Sequence, residues 1–172
     1  MPSNRALRST ELAAILTSAL VIPAAHAQDV ARVIPAWPRW TLSGLFEVVH
    51  AGADSWGFGP ALGIRRDFGP RWGVERRAAL PAFGANDTGA GAIDLAATYT
   101  TVTRATELGA SLGGTAFLVG DHSELTGGGV GLYLAGHATG WLSRGFGVTG
   151  GANLRTAVGT FPGGFAGVAF RF

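Results

Sequence analysis

Hydrophobic and polar residues alternate along most of the chain beyond residue 38. Alternation with a period of two predicts β-strands that have one apolar and one polar face. In the first segment Trp40, Leu42, Phe46 and Val48 alternate with Thr41, Ser43 and Glu47. Eight segments show the pattern, at residues 40–48, 56–64, 72–80, 93–100, 108–118, 129–137, 146–155 and 166–172.

Segments of this length match tilted strands that cross a membrane, which need about 9–11 residues each. Short polar turns alternate in the sequence with longer glycine-rich joins, an asymmetry typical of barrels with periplasmic turns and external loops. We therefore predict an all-β fold, an eight-stranded antiparallel up-and-down transmembrane β-barrel with both ends on the turn side. The predicted turns are 67–71, 104–107 and 142–145, and the joins are 51–55, 82–91, 120–127 and 157–163.

Aromatic residues cluster where the two membrane interfaces should lie, and such girdles are expected of membrane barrels. A soluble β-sandwich with an aromatic core is the alternative, but it does not explain the asymmetry of the connections. The predicted girdles contain Trp40, Phe68, Trp72, Trp141, Phe146 and Phe172 on the turn side, and Trp56, Phe58, Phe83, Phe117 and Phe161 on the loop side.

The polar face of the strands would fill the interior, because an eight-stranded barrel is just wide enough for side chains. Its acidic and arginine residues balance, so we expect a salt-bridged interior and no open diffusion pore. The predicted polar network consists of Glu47, Arg65, Asp67, Glu75, Arg77, Asp94, Tyr133, His137, Asn153, Arg155 and Arg171.

Two arginines, Arg66 and Arg76, depart from the pattern because strict alternation places them on the apolar face. Arg66 is expected at the interface, where a long side chain snorkels toward water. Arg76 lies nearer the middle, where an arginine facing lipid costs about 2–4 kcal/mol. Two interpretations stay open at this stage, a β-bulge that re-aims Arg76 and a different strand register.

Composition excludes several other classes of protein. The 28 glycines do not suit a helical protein, since each interior glycine costs about 1 kcal/mol relative to alanine. Cysteine is absent, which excludes disulfides and thiolate metal sites. All 13 basic residues are arginine, against 11 acidic residues, so there is no nucleic-acid footprint. His50, His122 and His137 lack metal-ligand spacing, and we expect neither metal nor cofactor.

The start of the chain is typical of an export signal. Arg5 and Arg8 precede an apolar run at residues 12–22, and Ala25 and Ala27 occupy the positions that a signal peptidase recognises. The run is too short for a membrane helix, which needs about 20 apolar residues. We predict a cleaved signal peptide at 1–27, a periplasmic lead-in at 28–38 and an outer-membrane barrel at 39–172.

The signal peptide, the turn region 65–75 (RRDFGPRWGVE) and the ending 168–172 (VAFRF) resemble the small bacterial outer-membrane β-barrel superfamily, which includes the OmpA transmembrane domain and OmpX-like proteins. The resemblance covers essentially the whole mature chain as a pattern, and the terminal Phe is its more specific part. It implies that the barrel-assembly machinery recognises the last strand through Phe170 and Phe172.

The same superfamily includes enzymes that act on lipid A. Residues 121–124 supply the types that an acyl hydrolase needs, with Ser123 as nucleophile, His122 as base and Glu124 as the orienting carboxylate. Adjacent residues of a strand point to opposite faces, and the spacing differs from the His-x-Ser arrangement of the deacylases. A solvated polar loop is therefore the preferred interpretation.

These observations favour a non-enzymatic outer-membrane barrel with a structural or surface-interaction role. We expect a monomer that contacts outer-membrane lipid and lipopolysaccharide and has no nucleic-acid partner. The first alternative is a lipid A-modifying acyl hydrolase. The second is a narrow channel or a binder of a small apolar ligand, suggested by the small residues Gly57, Gly59, Ala61 and Gly63 on one interior-facing strand.

Overall fold

β-strands make up nearly all of the described part of the chain. The computed structural model describes residues 39–51, 55–83, 88–103, 105–120, 125–157 and 159–172. The predicted signal peptide and lead-in, residues 1–38, lie outside these ranges. The strands are β1 (Arg39–His50), β2 (Trp56–Asp67), β3 (Trp72–Ala79), β4 (Ala82–Phe83), β5 (Thr88–Thr103), β6 (Thr106–Gly120), β7 (Leu125–Trp141), β8 (Phe146–Thr156) and β9 (Thr160–Arg171).

The strands form one closed antiparallel barrel. β1 pairs with both β2 and β9, so the first and last strands close the sheet on itself. β3 and β4 are two parts of one barrel strand, because both pair with β2 and β5 in the same register. The barrel therefore has eight strands in up-and-down order, which confirms the predicted fold class.

A proline explains the break between β3 and β4. Pro81 has no N–H to donate to the ladder, although Leu80 N still donates to Pro60 O at 3.0 Å and Pro81 O accepts from Ala90 N at 2.9 Å. The backbone approaches β2 so closely here that a Cβ on Gly59 would lie 2.0 Å from Leu80 O. Glycine is required at this position because any side chain would collide with the neighbouring strand.

Side chains point alternately out of and into the barrel. Along β2 and β3 every exposed residue is followed by a buried one. The outward-facing positions carry large apolar residues such as Leu62, Ile93 and Val130, which are 63%, 62% and 81% exposed. The inward-facing positions carry most of the charged residues. The barrel is thus apolar outside and charged inside.

Arg76 lies on the apolar exterior, and β3 has no bulge around it. It pairs with Ile64 of β2 and Leu95 of β5, in ladders that run without a shift from Trp72 to Ala79. Its side chain is exposed. Both interpretations that would have removed Arg76 from this face, a bulge and a changed register, are wrong, since the backbone pairing continues undisturbed on both sides.

The connections at the two ends of the barrel differ less than predicted. At the turn end, residues 68–71, 104–105 and 142–145 join strands, and β1 begins and β9 ends. At the loop end, the joins are 51–55, 84–87, 121–124 and 157–159. The predicted long joins are wrong in extent because glycine-rich strands continue into them, with Gly89 paired to Gly120. Glycine content alone does not end a strand whose partner supplies the hydrogen bonds.

Three aromatic residues assigned to the girdles face inward instead. Trp141 and Phe117 are 5% and 1% exposed, and Phe161 stacks on Phe117 with ring centroids 4.8 Å apart. Each ring faces inward because its residue occupies an inward-facing position in the alternation of the strand, and its aromatic character does not change that. The side chain of Phe83 lies outside the described residues. The girdle residues with an outward or edge position are Trp40, Phe68, Trp72, Phe146 and Phe172 at the turn end, and Trp56 and Phe58 at the loop end.

Within the described ranges, no helix has the length and apolar character that crossing a membrane requires.

Candidate functional site

The barrel interior brings together five arginines and five carboxylates. Every Asp and Glu of the described residues is buried there. The charges form three groups along the barrel axis. Their formal charges cancel over the three groups taken together. The turn-end cluster consists of Arg39, Arg65, Asp67, Glu107 and Arg171, the central pair of Glu75 and Arg77, and the loop-end cluster of Glu47, Asp94, Asn153 and Arg155.

A carboxylate lies at the centre of the turn-end cluster. Glu107 on β6 accepts hydrogen bonds from Arg65 of β2 and Arg171 of β9. Arg39 Nη2 of β1 lies 3.8 Å from Glu107 Oε2. Asp67 accepts a hydrogen bond from Arg39 Nε at 2.9 Å, and Arg65 Nε lies 2.9 Å from its other oxygen. Two carboxylates therefore hold three guanidinium groups and connect four strands.

An arginine lies at the centre of the loop-end cluster. Arg155 of β8 is fully buried and donates from Nε and Nη2 to Asp94 of β5 at 2.9 Å and 2.7 Å. It also donates from Nη1 and Nη2 to Glu47 of β1. Asn153 Nδ2 donates to Glu47 at 2.7 Å. The planar fork of one guanidinium thus bonds two carboxylates, an arrangement that charge-assisted bidentate bonds favour, and one formal negative charge of this cluster is balanced by the excess arginine of the turn-end cluster.

The central pair lies between the two clusters and packs against aromatic rings. Arg77 Nη2 donates to Glu75 at 2.9 Å, and Ser111 Oγ donates to the other Glu75 oxygen at 3.1 Å. The Arg77 guanidinium carbon lies 4.0 Å from the ring centroid of Phe165 and 5.8 Å from that of Tyr133. These distances allow cation–π attraction, so the rings compensate in part for the removal of this arginine from water.

A small polar cavity of about 30 Å³ separates the turn-end cluster from the central pair. Cavities of this size are on the scale of one or two water molecules. His137 lines it, and Arg65 Nη1 lies 3.3 Å from His137 Nε2. Because a guanidinium only donates, that imidazole nitrogen is the acceptor.

Apolar side chains occupy part of the remaining interior, beside buried threonines. They pack between the polar groups of opposite strands, and most come from alanines of β2, β3 and β5 facing the rings of β6 and β9. The apolar interior group consists of Leu45, Ala61, Ala79, Ala90, Ala92, Phe117 and Phe165, with Ala157 and Phe161 packed against it.

The eleven residues predicted for the polar network all lie in these interior groups or beside them. Nine are buried, and the other two, His137 and Arg171, are half-buried with interior partners. Sequence analysis missed Glu107 and Arg39. Glu107 lies in the predicted turn 104–107, directly before the strand predicted at 108–118. Extending that strand by one residue places Glu107 on the interior face, four positions before the buried Ser111.

The exterior carries arginines of a different kind. Arg66, Arg71, Arg76 and Arg144 are exposed, whereas all the carboxylates of the described residues lie inside. The guanidinium carbon of Arg66 lies 5.2 Å from the ring centroid of Trp40 and 5.3 Å from that of Phe68. The aromatic neighbours place Arg66 at the turn-end girdle.

Phe170 and Phe172 lie on the exterior where the last strand meets the first. Trp40 N donates to Phe172 O at 2.9 Å, and Phe172 N donates to Trp40 O at 3.0 Å. The rings of Phe170 and Phe146 have centroids 5.3 Å apart. Recognition of Phe170 and Phe172 by an assembly machinery stays a prediction.

The residues of the hydrolase hypothesis, His122, Ser123 and Glu124, lie outside the described residues, and that hypothesis stays a prediction. Among the described residues, no group of three or more His, Asp or Glu is arranged to hold a metal ion.

Known structures with this architecture are small outer-membrane barrels. The attachment invasion locus protein Ail of Yersinia pestis superposes with a TM-score of 0.58 at 13% identity, covering 78% of this chain and 99% of Ail. The outer membrane protein OprG of Pseudomonas aeruginosa gives 0.60 at 13% identity, covering 78% and 96%. Neisserial surface protein A gives 0.56 at 16% identity, covering 78% and 96%.

These similarities, at 16% identity or less, show that the chain has the fold of small eight-stranded outer-membrane barrels, which is the fold that the sequence resemblance implied. No protein-family model matches the sequence. No curated protein matches it either. The class of protein is therefore defined by architecture, and its role has to be argued from the distribution of side chains.

Proposed function

We propose that this protein is an outer-membrane β-barrel with a structural or surface-interaction role, whose interior is closed to diffusion. The observation that carries the proposal is the distribution of polarity. Soluble proteins bury apolar residues and expose charge. Here most of the large exposed side chains are apolar and the paired charges lie inside.

The exterior supports the membrane location. Exposed Leu, Ile, Val and Phe residues cover the middle of the barrel wall, and an apolar band of this kind would be an aggregation hazard in water. Trp40, Phe68 and Trp72 lie at the turn end, while Trp56 and Phe58 lie at the loop end. Aromatic residues favour the two interfaces of a bilayer.

The interior supports a closed barrel. Arg155 reaches from β8 to β1 and β5 on the other side, and Glu107 connects β6 to β2 and β9. These cross-barrel bonds and the apolar interior group support a closed interior. The function that follows is a rigid anchor that presents its loop-end segments outside the cell.

The names of the structural neighbours agree with a surface role. Ail is named for attachment and invasion, and the neisserial neighbour is named a surface protein. Both have the same barrel architecture as this chain. Because the loop-end connections are proposed to lie outside the cell, we propose that they make the contacts with surface partners.

Cysteine labelling tests location and orientation together, because the natural chain contains no cysteine. Ser55→Cys places a thiol on an exposed residue at the loop end, and Ser143→Cys places the matched control on an exposed residue at the turn end. A maleimide reagent that does not cross membranes should label Ser55→Cys on intact cells. It should label Ser143→Cys only after the outer membrane is opened.

Equal labelling of both variants on intact cells, or recovery of the protein as a soluble periplasmic species, would contradict the location. A change in gel mobility between unboiled and boiled samples should accompany membrane insertion. Planar-bilayer recordings test the closed interior separately, and steady single-channel conductance would refute that part while leaving the location intact.

A further inference from the structure

Among the described residues, the exterior of the barrel carries positive charge and no negative charge. Interior arginines are matched by carboxylates, but every Asp and Glu of the described residues is inside. Arg66, Arg71 and Arg76 all belong to β2, β3 or the connection between them, and all three are exposed. The positive charge is therefore concentrated on one sector of the wall, at and above the turn end.

Arg66 and Arg76 are neighbours on the same outer surface. Arg66 pairs with Val74, and Arg76 pairs with Ile64, so the two arginines occupy diagonal positions of the β2–β3 ladder. Diagonal positions are separated by about 7–8 Å. Two guanidinium groups at this distance, on flexible side chains, can donate to one anion between them.

The height of Arg76 also matters. It is the fourth residue after Trp72, which corresponds to about 13 Å along the strand and about 10 Å along the axis at a tilt near 40°. From there the side chain can lean toward the turn-end interface, as long charged side chains do near a bilayer surface. Trp40 and Phe68 flank Arg66 within cation–π distance, and Trp72 packs edge-on against Tyr99 at 5.0 Å. An aromatic frame thus borders the pair.

We propose that Arg66 and Arg76 form a binding site for the phosphate of an anionic phospholipid in the leaflet at the turn end. The inference rests on the proposed membrane location. The site fits a lipid because its cations lie on the apolar wall, where the acyl chains would pack against Ile64, Val74 and Leu95. A headgroup with net negative charge is favoured over a zwitterionic one, since the sector offers no carboxylate to a headgroup amine.

Native mass spectrometry of the folded protein in detergent measures the site directly. The protein is titrated with phosphatidylglycerol, with phosphatidylcholine of the same acyl chains, or with inorganic phosphate as a competitor. We expect one tightly held phosphatidylglycerol, preferred over phosphatidylcholine by about tenfold, because the choline cation of phosphatidylcholine would lie beside two arginines. Inorganic phosphate at equal concentration should not displace it.

Variants separate this site from general surface charge. Arg76→Gln and Arg66→Gln should each lower phosphatidylglycerol affinity by about five- to tenfold, whereas Arg76→Lys should retain most of it because an ammonium still binds phosphate as a point charge. Arg144→Gln is the matched control, since Arg144 is exposed in the connection between β7 and β8, away from the pair. Its affinity should equal that of the natural protein.

Unchanged affinity in Arg76→Gln, an equal loss in Arg144→Gln, or displacement by inorganic phosphate would each overturn the inference. Heat-modifiable migration of every variant verifies folding. A variant that folds and inserts into vesicles yet binds lipid normally refutes the lipid site and leaves the proposed function standing. Failure of the natural protein to insert into vesicles refutes the proposed function itself.

Discussion

The two ionic clusters inside the barrel are built in opposite ways. At the turn end a carboxylate, Glu107, is surrounded by arginines, and at the loop end an arginine, Arg155, is surrounded by carboxylates. Arg155 and its partners are essentially inaccessible, whereas Arg171 at the turn end is half-buried. Removal of either central residue leaves like charges facing each other. The side chain of Arg171 at the turn end is 9% exposed, whereas Glu47 and Asp94 at the loop end are 0% and 1% exposed.

The difference shows what a buried ion network requires. A buried ion pair adds little net stability over an apolar substitute, while removal of one partner alone costs several kcal/mol because the other charge stays uncompensated. The central residue of each cluster is therefore the sensitive one. The predictions that follow test this asymmetry, starting with the largest expected effect.

Arg155→Met should destabilise the barrel most. Glu47 and Asp94 would then lose the guanidinium that bonds both of them, and we expect the free energy of unfolding to fall by about 3–5 kcal/mol. Guanidinium chloride titrations of the folded protein in vesicles, followed by tryptophan fluorescence, measure it. The triple variant Arg155→Met, Glu47→Gln, Asp94→Asn should recover part of the loss. A single variant as stable as the natural protein would refute the central role of Arg155.

Glu107→Gln should destabilise the barrel by a smaller amount, about 2–3 kcal/mol. Asp67 still bonds to Arg39 and Arg65, and the turn end gives Arg171 some contact with solvent. The same titration applies. A loss larger than that of Arg155→Met would reverse the comparison between the clusters and indicate that the turn end is the drier of the two.

Arg77→Lys tests the connection between the clusters. An ammonium keeps the ion pair with Glu75 but loses the flat stacking on Phe165, so we expect a loss of about 1 kcal/mol. Thermal denaturation of the variant in vesicles should show a correspondingly small decrease. A loss of stability as large as that of Glu107→Gln would mean that the central pair is energetically coupled to one of the two clusters.

Tyr133→Phe should have the smallest effect. The Tyr133 ring lies between Arg77 and Arg155, and its hydroxyl has no protein partner among the described residues. Removal of that hydroxyl keeps the ring and should change stability by no more than about 0.5 kcal/mol. A loss above about 1 kcal/mol would mean that the hydroxyl is part of a bonded network between the clusters.

The errors of the sequence interpretation have physical causes. The period-two alternation of apolar and polar residues correctly identified the inward-facing positions of the strands, including Glu75 and Arg77. It failed at Glu107, because the strand boundary was placed too late, and at Trp141 and Phe117, because aromatic character was weighted above the alternation. Glycine-rich segments were given to loops although cross-strand partners keep them in the sheet. The residue at which a strand ends depends on how far its neighbouring strand continues to pair with it, and the sequence of one segment alone does not show this.

By itself, the sequence determined the class of fold and the two faces of the wall, because side chains on a strand alternate whatever the strand pairs with. The tertiary structure alone decided which charges meet. Closing the barrel brings Arg155 to Glu47 and Asp94, and Glu107 to Arg65 and Arg171, across separations of 42 to 108 residues. These contacts depend on register, tilt and closure together, and all three are properties of the whole barrel.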